Sequence, residues 1–578
     1  MLLKRLCEYA ETIDLPPAMY QRTSVRWIID IDSQGKFLGL VATSSGGKRD
    51  RGIPMLVPHV LRANSIRAKL LCDNAEYVLG FPRKVKDPIK QSKRKGDALK
   101  KHEEFKRVVH ECASNTGEPA VSSVLCFLED ERQLKKVDPE EIADADNLTF
   151  RVDGSLPVAN PAVQLFWADY TSTEQESEEN TIIEEQECIV CGEPCHPLPR
   201  HPVLIKRIPG GQTSGMALIS ANTNAFESYG LKASLIAPTC RKCAESYAKA
   251  ANSLLEGENT HVNIGSLSYV FWTKEDEGFS FAKLISRPDP GEVRVLLTSA
   301  FAGKDAVTNL DKSLEASPFY AAALGASGGR VAVRDWLETT VANAKRNLAR
   351  YFALQQVVKR DGSESEPIGL YALAASTVRD PANDMAPNVP KSLLRFALKG
   401  GPLPHWLLFQ VVKRNRTEQN VTRPRVSLIK MVLCSQKESG LEEKMEQLDP
   451  ENRSPAYLCG RLLAVLESIQ ERAVPGLKAT IVDRFFGTAS SAPASVFGRL
   501  LRGAQPHLGK LRKERTRTYV ALEKRLEEVL SGLEGFPKTL ALEDQAVFSL
   551  GYYHQRAADR AEAIIYKESK EQEDNSEE

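Results

Sequence analysis

Two cysteine pairs constrain this chain more than any other feature of its sequence. Cys188 and Cys191 form one C-x2-C motif, Cys240 and Cys243 form a second, and 48 residues separate the two pairs. A C-x2-C turn brings two thiolates within reach of one tetrahedral zinc ion, so two such turns supply the four ligands of a closed site. A closed shell of four thiolates leaves no position for water or substrate, and the sequence therefore predicts a structural zinc rather than a catalytic one.

Other interpretations of these cysteines stay open at this point. The spacer exceeds the usual ~15–20 residues, although the entropy of loop closure grows only slowly with loop length. Cys195 and His196 are substitute ligands that we interpret as bystanders, because the two pairs already fill four positions. The alternative is that the thiols are small buried apolar side chains that hold no metal.

The length and composition indicate a soluble multidomain protein of the cytoplasm. The 578 residues allow three or four domains of roughly 100–200 residues each. No apolar run approaches the ~18 residues of a membrane span, and charges interrupt the apolar stretch at the start, so we expect no signal peptide. Thiols stay reduced in the cytoplasm, which favours metal ligands or core residues over disulfides for the 11 cysteines.

Hydrophobic patterns predict an α+β fold: a mixed α/β N-terminal region with a zinc-knuckle insertion, followed by a C-terminal α-helical bundle. Segment 25–43 reads as a β-hairpin, and segments 122–130, 148–158 and 266–276 read as strands. From about residue 390, apolar residues recur with the helical period. The predicted regions are 1–170 (N-terminal α+β), 171–187 (acidic linker or loop), 188–260 (zinc-binding), 261–390 (continued α+β), 391–566 (helical bundle) and 567–578 (disordered acidic tail).

Positive charge is concentrated at the N-terminal end. Residues 1–110 hold 22 Lys and Arg against 12 Asp and Glu, although the whole chain has a net charge of only +1. A basic end in a neutral chain favours a polyanionic partner, with a solvated Lys-rich surface as the alternative. We interpret the Lys-rich segment 83–101 as a flexible phosphate clamp or a solvated loop, and a second basic cluster spans 499–517.

The sequence contains no recognisable catalytic motif. The nine histidines are scattered, and the glycines of 44–52 lack the spacing of a phosphate-binding loop. His554, between aromatic residues, is best read as a packed helix residue. Distant carboxylates can still assemble a metal-dependent nuclease site that sequence spacing does not reveal.

Several motifs resemble one known family. LLKRLCEYAE, VRWIIDID (25–32), LLCDNAEYVLG (70–80), SGMALISANTNAFESYG (214–230), SPAYLCGRLLAVLESIQ (454–470), APASVFGRLL (492–501) and FSLGYYHQR (548–556) are similar to the large subunit of the type I-C CRISPR Cascade surveillance complex. They occur in the order expected of that family and span nearly the whole chain.

The resemblance implies a non-enzymatic role beside a guide RNA. Such a subunit recognises the PAM duplex next to the target, helps to open the DNA and to stabilise the R-loop, and recruits a separate helicase-nuclease. It also works with backbone and guide-processing subunits. The implied contacts to the PAM duplex and the guide RNA are Lys48, Arg49, Arg51, Arg62, Asn64, Arg67 and Asn74, with Asn222, Asn224 and Phe226 as a second set. For Phe226 and Tyr229 we favour the alternative that both rings pack in the core.

The C-terminal helices resemble the small subunit of such complexes. In that family the small subunit is commonly made from an internal start, and here Met445 is favoured over Met431. The separate product would bind displaced single-stranded DNA through Arg499, Arg502, Lys510, Arg512 and Lys513. The rival hypotheses are a metal-dependent nuclease and a zinc-stabilised scaffold that binds only proteins.

Overall fold

The chain divides into two compact units. The structure is a computed structural model that describes residues 2–44, 50–60, 62, 66–82, 88–143, 145–178, 185–221, 223–227, 229–274, 280–301, 316–436 and 445–576. The first unit comprises Met1–Lys206, Gln212–Ser253 and Gly329–Val331. The second comprises Arg207–Gly211, Leu254–Gly328 and Ala332–Glu578.

Helices and strands alternate in the N-terminal half, and helices follow. The strands are β1 (Tyr20–Val25), β2 (Trp27–Ile31), β3 (Phe37–Ala42), β4 (Ile53–Pro58), β5 (Cys72–Asn74), β6 (Asn147–Val152), β7 (Gln186–Glu187), β8 (Pro194–Cys195), β9 (His261–Ile264), β10 (Leu267–Thr273), β11 (Pro318–Ser327) and β12 (Arg330–Thr340). The helices of the first half are α1 (Leu2–Ala10), α2 (Ala75–Val78), α3 (Pro88–Thr116), α4 (Pro119–Glu129), α5 (Glu131–Leu134), α6 (Pro161–Glu178), α7 (Arg241–Glu256), α8 (Phe281–Ser286) and α9 (Pro290–Phe301). Those of the second half are α10 (Val341–Gln355), α11 (Leu370–Ala375), α12 (Pro381–Asp384), α13 (Asn388–Lys399), α14 (His405–Glu418), α15 (Arg423–Ser435), α16 (Pro455–Ala473), α17 (Ile481–Ala489), α18 (Phe497–Glu514), α19 (Thr516–Ser531) and α20 (Leu542–Ser576).

A four-stranded sheet with the order β3-β2-β6-β5 forms the centre of the first unit. Strands β2 and β3 are the predicted hairpin, and β6 confirms residues 148–152 of the strand predicted at 148–158. The chain then turns at 153–154, and Pro157–Ala159 form a 3-10 helix. The hairpin turns at Gly35, which has a φ of +76°. A side chain at this glycine would also meet the backbone oxygen of Ser123 at 2.7 Å, so the turn packs directly on α4.

The strand predicted at 122–130 is wrong, because these residues belong to α4. Its buried residues Val121, Val124, Phe127 and Leu128 recur with the helical period. Pro119 at the start of the helix favours helical entry. A short apolar run does not by itself distinguish a strand from a buried helix, and here the helix packs on the sheet.

Three segments predicted as flexible contain helix instead. Residues 88–101 of the Lys-rich segment begin the 29-residue α3, and 83–87 lie outside the described residues. Residues 171–178 of the expected acidic linker complete α6. The acidic segment 567–576, expected to be disordered, continues α20. Glu, Lys and Gln are good helix formers, so composition that indicates disorder is also compatible with an extended helix.

The second unit contains another four-stranded sheet with the order β12-β11-β10-β9. Strand β10 confirms the strand predicted at 266–276, and its aromatic residues are buried. It pairs antiparallel with both β9 and β11. Helix α10 packs against α13 and α15. The continuous run of helices therefore begins at Val341 and not at about residue 390.

The predicted C-terminal helical bundle is confirmed, with the almost entirely buried α16 at its centre. Helices α17 to α20 surround it, and α20 makes the most extensive packing. Two glycines allow this approach: a side chain at Gly460 would overlap the carbonyl oxygen of Phe548, and one at Gly551 would overlap that of Tyr457. Within the described part of the chain, none of the helices has the length and apolar character needed to cross a bilayer.

Candidate metal centre and nucleic-acid interface

The two predicted cysteine pairs come together in the first unit. One sulfur atom from each of Cys188, Cys191, Cys240 and Cys243 lies within 4.8 Å of the other three, and the Sγ atoms of Cys191 and Cys240 are 3.9 Å apart. A tetrahedral zinc with Zn–S bonds near 2.3 Å separates its sulfur ligands by about 3.8 Å. The four thiols therefore fit one metal ion of this size.

The first pair lies on a tight turn between two short strands. Strand β7 ends immediately before Cys188 and pairs with β8. The Cys188 N–H donates to the carbonyl of Glu193 (2.9 Å), and the Gly192 N–H donates to that of Cys188 (2.8 Å). Gly192 has a φ of +81°, a conformation that glycine adopts most easily, so this residue closes the turn behind the two thiols.

The second pair lies at the N-terminus of α7. Cys240 immediately precedes the helix and Cys243 occupies its first turn. The N–H of Cys243 donates to Sγ of Cys240 (3.4 Å), and the N–H of Cys240 donates to Sγ of Cys188 (3.3 Å). Donors at a helix N-terminus stabilise negative charge, so this position favours thiolates.

The pKa values of the thiols reflect burial, backbone donors and the neighbouring thiols. Burial raises the pKa of Cys188, but backbone N–H donors outweigh that effect and the pKa falls to about 7. The pKa values of Cys240 and Cys243 are raised, first by burial and also by the neighbouring thiols. Four thiolates at this spacing repel one another, and a divalent cation is the chemistry that offsets the repulsion.

Cys195 and His196 do not belong to the group of four that the described residues bring together. Burial, followed by the nearby thiols, raises the pKa of Cys195 to about 11. The interpretation that both residues are bystanders therefore agrees with the geometry of the cluster.

A further thiol, which no sequence motif indicates, lies beside the cluster. Cys7, on α1, donates its S–H to the carbonyl of Cys243 (3.6 Å). On the same α7, Lys249 donates to the carbonyls of Pro16 and Pro17 and to Glu245 (2.9 Å), whose carboxylate accepts the N–H of Met19. The N-terminal segment is thus attached to the helix that carries the second cysteine pair.

Four predicted nucleic-acid contacts, Lys48, Arg49, Asn64 and Asn222, lie outside the described residues. Among the others of the first set, Arg51 is exposed. The guanidinium of Arg62 pairs with buried Asp73 and lies 4.0 Å from the centre of the Tyr77 ring.

Two more predicted contacts have local structural roles. Arg62 Nε donates to the carbonyl of half-buried Arg67 (2.7 Å). The side chain of Asn74 caps α2 by accepting the N–H of Glu76 (3.1 Å). Arg62 and Asn74 therefore organise the loop between residues 66 and 76, which is compatible with a binding role but does not require one.

The second predicted set lies on a braced, exposed loop. Asn224 and Phe226 belong to a 3-10 helix (Asn224–Phe226), and the Phe226 ring is covered on one side by the guanidinium of Arg330 at 3.6 Å. Phe226 is 45% exposed and Tyr229 is 99% exposed. The interpretation that both rings pack in the core is therefore wrong. Backbone hydrogen bonds between Ala221 and Ala233 close the base of the loop.

The predicted C-terminal basic cluster lies mainly on α18. One face of this helix is buried through Phe497, Leu500, Ala504, Leu508 and Leu511. The opposite face presents four exposed cations, which we call the basic stripe: Arg499, Arg502, Lys510 and Lys513. Arg512 lies off this face, with its guanidinium 5.9 Å from the Tyr519 ring.

Two glycines lie along the basic stripe. A side chain at Gly503 or Gly509 would meet nothing within 4 Å. The stripe is therefore flat between its cations, which permits close approach of an extended backbone.

His554 occupies the packed position that the sequence indicates. It is buried on α20, and the distance between its Nδ1 and the Tyr457 hydroxyl is 3.0 Å. Burial, and then the charge of Lys430, lowers the pKa of His554 to about 3. The imidazole is consequently neutral in the folded bundle at neutral pH.

These features define a mixed α/β protein with a four-cysteine cluster that could hold a metal ion and a helical C-terminal region. Residues 4–559 match the family model of the CRISPR-associated protein (Cas_Csd1), and the chain belongs to this family. A search of curated proteins gave no match. The match covers nearly the whole chain and confirms the predicted CRISPR association.

Proposed function

We propose that this protein is the non-catalytic large subunit of a type I-C RNA-guided surveillance complex. In this role it recognises the PAM duplex, helps to open target DNA, stabilises the R-loop and recruits a separate helicase-nuclease. The observation that carries the proposal is the family match over residues 4–559. Its partners are the guide RNA, the target DNA and the other subunits of the complex.

The exposed Tyr229, between Ala221 and Ala233, supports a contact to the DNA duplex. Tyr229 is 99% exposed and has a φ of +52°, so it contributes little packing and adopts a backbone conformation that disfavours a large side chain. An exposed aromatic ring can insert between base pairs, and the exposed Asn224 of the same loop can reach minor-groove acceptors. We propose Tyr229 as the side chain that inserts into the duplex.

A binding assay on the assembled complex tests this proposal. Complexes with guide RNA are titrated with target duplexes that differ only in the flanking base pairs, using alanine variants of Asn64, Asn74, Asn222, Asn224 and Tyr229. We expect at least one asparagine variant to lose flank preference while matched single-stranded DNA still binds. We expect Tyr229→Ala to weaken duplex binding but not single-strand binding, and Tyr371→Ala is the exposed aromatic control.

Two results would count against this assignment. If all five variants keep the flank preference and the duplex affinity of the wild type, the proposed reading residues are wrong. If the wild-type complex has no flank preference, the surveillance role itself fails.

We further propose that the four-cysteine cluster binds structural zinc. The fit of four thiols within 4.8 Å and the N–H donors to two of the sulfur atoms support this assignment. A bound zinc ion would neutralise the thiolates and join the turn after β7 to the N-terminus of α7. The residues themselves fix the thiols at this spacing and exclude further ligands from the shell.

We also propose that the last helices are made separately from Met445. The hydrogen bonds of Arg461 with Gln555 (3.0 Å) and Glu528 (2.6 Å) lie entirely within residues 445–576, which supports an independent interior. Met431, by contrast, is fully buried in the middle of α15. A C-terminally tagged Met445→Leu chain should lose the short product, whereas Met431→Leu should retain it. A short product that persists in the M431L/M445L double variant contradicts both methionine starts.

The rival nuclease hypothesis has a separate test. Purified protein is incubated with Mg²⁺ or Mn²⁺ and single- or double-stranded DNA. Cleavage that disappears with a point substitution, and not with repeated purification, favours a nuclease. A steep salt dependence of DNA binding favours the surveillance subunit over a scaffold that binds only proteins.

A further inference from the structure

The helical part of the second unit contains an open cleft of about 550 Å³. It lies between α14, α17 and the first turn of α20, and its lining consists of Phe409, Val412, Lys413, Arg416, Thr417, Gly487, Leu542 and Gln545. Phe409, Lys413 and Arg416 follow one another at intervals of four and three residues. Helix α14 therefore presents an aromatic ring and two cations on one face.

The aromatic ring in this cleft is unusually accessible. Phe409 is 55% exposed, while the core-facing side of α14 is filled by Leu407, Leu408 and Val411. Phe409 thus contributes little to the core. Every nucleobase has a face that stacks on such a ring, independently of sequence.

The wall opposite Phe409 is left open by a glycine. The nearest atom that a side chain at Gly487 would meet is the carbonyl oxygen of Arg416, at 4.0 Å. The lining thus combines an aromatic platform, apolar neighbours and free space, as a base-sized ligand requires.

The charges around the cleft favour an anion. Lys413 and Arg416 are both exposed. Of the nearby acids, Glu418 pairs with Arg414 and Arg425, and Glu543 and Asp544 lie in the first turn of α20. The two exposed cations of α14 lie on the same helix face as Phe409, which complements the phosphates of a polyanion.

The cleft and the basic stripe share helix α17 as a neighbour. Gly487 of α17 lines the cleft, and Phe485 of the same helix lies 5.5 Å from the guanidinium of Arg499, the first cation of the stripe. The cleft and the basic stripe therefore both adjoin α17.

We propose that this cleft is a base-binding pocket for single-stranded nucleic acid. One unstacked base lies on Phe409, and the phosphates next to it contact Lys413 and Arg416. The inference rests on the proposed function, since it needs a single strand on the C-terminal helices. It adds a site outside the 499–517 cluster, with its aromatic ring and both cations on α14, upstream of Met445.

Substitution of Phe409 in the full-length chain tests the stacking contact. We expect Phe409→Ala to weaken binding of a fluorescent thymidine oligonucleotide roughly 5- to 150-fold, the range for one base–aromatic stack. It should not affect an abasic strand with the same number of phosphates. Tyr371→Ala, which removes a ring of 49% exposure on α11, is the matched control and should change neither. In Phe409→Trp, the thymidine strand should quench the indole fluorescence and the abasic strand should not.

The cations are tested by salt dependence. Each phosphate contact to a single strand contributes about 0.7 to the slope of log K against log salt, so Lys413→Ala with Arg416→Ala should lower the slope by about 1.4. Arg294→Ala with Arg346→Ala, exposed cations on α9 and α10, is the charge-matched control and should leave the slope unchanged. Phe409→Ala should also leave it unchanged.

The outcomes separate this inference from the proposed function. If Phe409→Ala binds both strands as the wild type does, while alanines on the basic stripe abolish binding, the pocket is wrong and the proposed function stands. If the wild-type chain binds neither strand, the proposed role of the C-terminal helices fails. If an acidic amphipathic peptide, but no oligonucleotide, changes the Phe409→Trp fluorescence, the cleft binds protein and the inference is overturned.

Discussion

The cysteine region of the first unit and the helical bundle of the second hold their structure in different ways. Around the cysteines, regular structure is sparse: β7 and β8 have two residues each, and the two thiol pairs come from distant parts of the chain. In the bundle, α16 packs along its whole length against the surrounding helices. The first region therefore depends on a few long-range connections and the second on many distributed ones.

The two regions also present their candidate binding groups differently. Tyr229 lies in an irregular segment between Ala221 and Ala233, whereas the basic stripe repeats along one face of α18. A loop can place a single side chain at one particular point, while a helix face offers a row of equivalent contacts. Recognition of a short duplex motif suits the first arrangement, and sequence-independent retention of a strand suits the second.

The largest effect on stability is expected from removing one cysteine of the four-cysteine cluster. Cys188→Ser removes one of four ligands and should lower the free energy of unfolding by about 4 kcal/mol or more, the range in which loss of a metal site falls. Metal content by elemental analysis and thermal unfolding measure it. Cys195→Ser, just outside the group, is the control and should retain the metal. Equal metal content in Cys188→Ser and the wild type contradicts the zinc site.

A smaller effect should come from overpacking the bundle. Gly460→Ala forces a methyl group against the backbone of α20 and should destabilise the bundle by about 3 kcal/mol. Chemical denaturation followed by circular dichroism measures the change. Gly498→Ala, in a helix position with open space, is the control and should not destabilise. Tolerance of Gly460→Ala would mean that α16 and α20 are farther apart than described.

Acid should weaken both units, since each contains a neutral histidine whose pKa is lowered by burial. Burial is the first cause that lowers the pKa of His59 and of His554 from 6.5 to about 3. The unfolded chain binds these protons near pH 6.5 and the folded chain does not, so the stabilisation is complete above pH 6.5 and is lost as the pH falls towards 3. Each histidine should contribute about 1.4 kcal/mol per pH unit in that window.

Hydrogen exchange at pH 7 and pH 5 distinguishes the effects of the two histidines. His554→Gln should remove part of the acid sensitivity of α16 and α20 without affecting β4. His59→Gln should do the reverse. Identical pH dependence in the wild type and both variants contradicts the neutral state of these histidines.

A glycine on the basic stripe should produce a gain in stability. Gly503→Ala lies in a helix interior with open space around it, so it should stabilise α18 by about 1 kcal/mol. It should also weaken binding of single-stranded DNA if the strand backbone lies flat on the stripe. A melting curve and a strand titration on the same variant measure both quantities, and unchanged affinity would place the strand elsewhere.

The smallest effect on stability is expected from substitution of the exposed Tyr229. Tyr229→Ala should change the free energy of unfolding by no more than about 0.5 kcal/mol, because the side chain is almost fully exposed. A thermal melt beside the duplex titration described above separates recognition from folding. A large loss of stability would mean that the ring packs against the protein.

Much of the fold follows from local patterns in the sequence. The β2–β3 hairpin, strand β10 and the helical bundle have regular periods, and the cysteine pairs have a diagnostic spacing. The error at α4 arose because a short apolar run is compatible with either period, and tertiary packing decided between them. The contact of Cys7 with Cys243 and the ion pair of Arg62 with Asp73 depend on chain tracing that no local pattern encodes.

The backbone conformation of Tyr229 disfavours the residue type that occupies this position. At a φ of +52°, glycine and asparagine fit with less strain than any aromatic residue, and the exposed ring gains almost no burial in return. A library of all amino acids at this position, selected only for folded protein, should therefore enrich glycine and asparagine. Selection for binding, and not for folding stability, would then account for tyrosine at position 229.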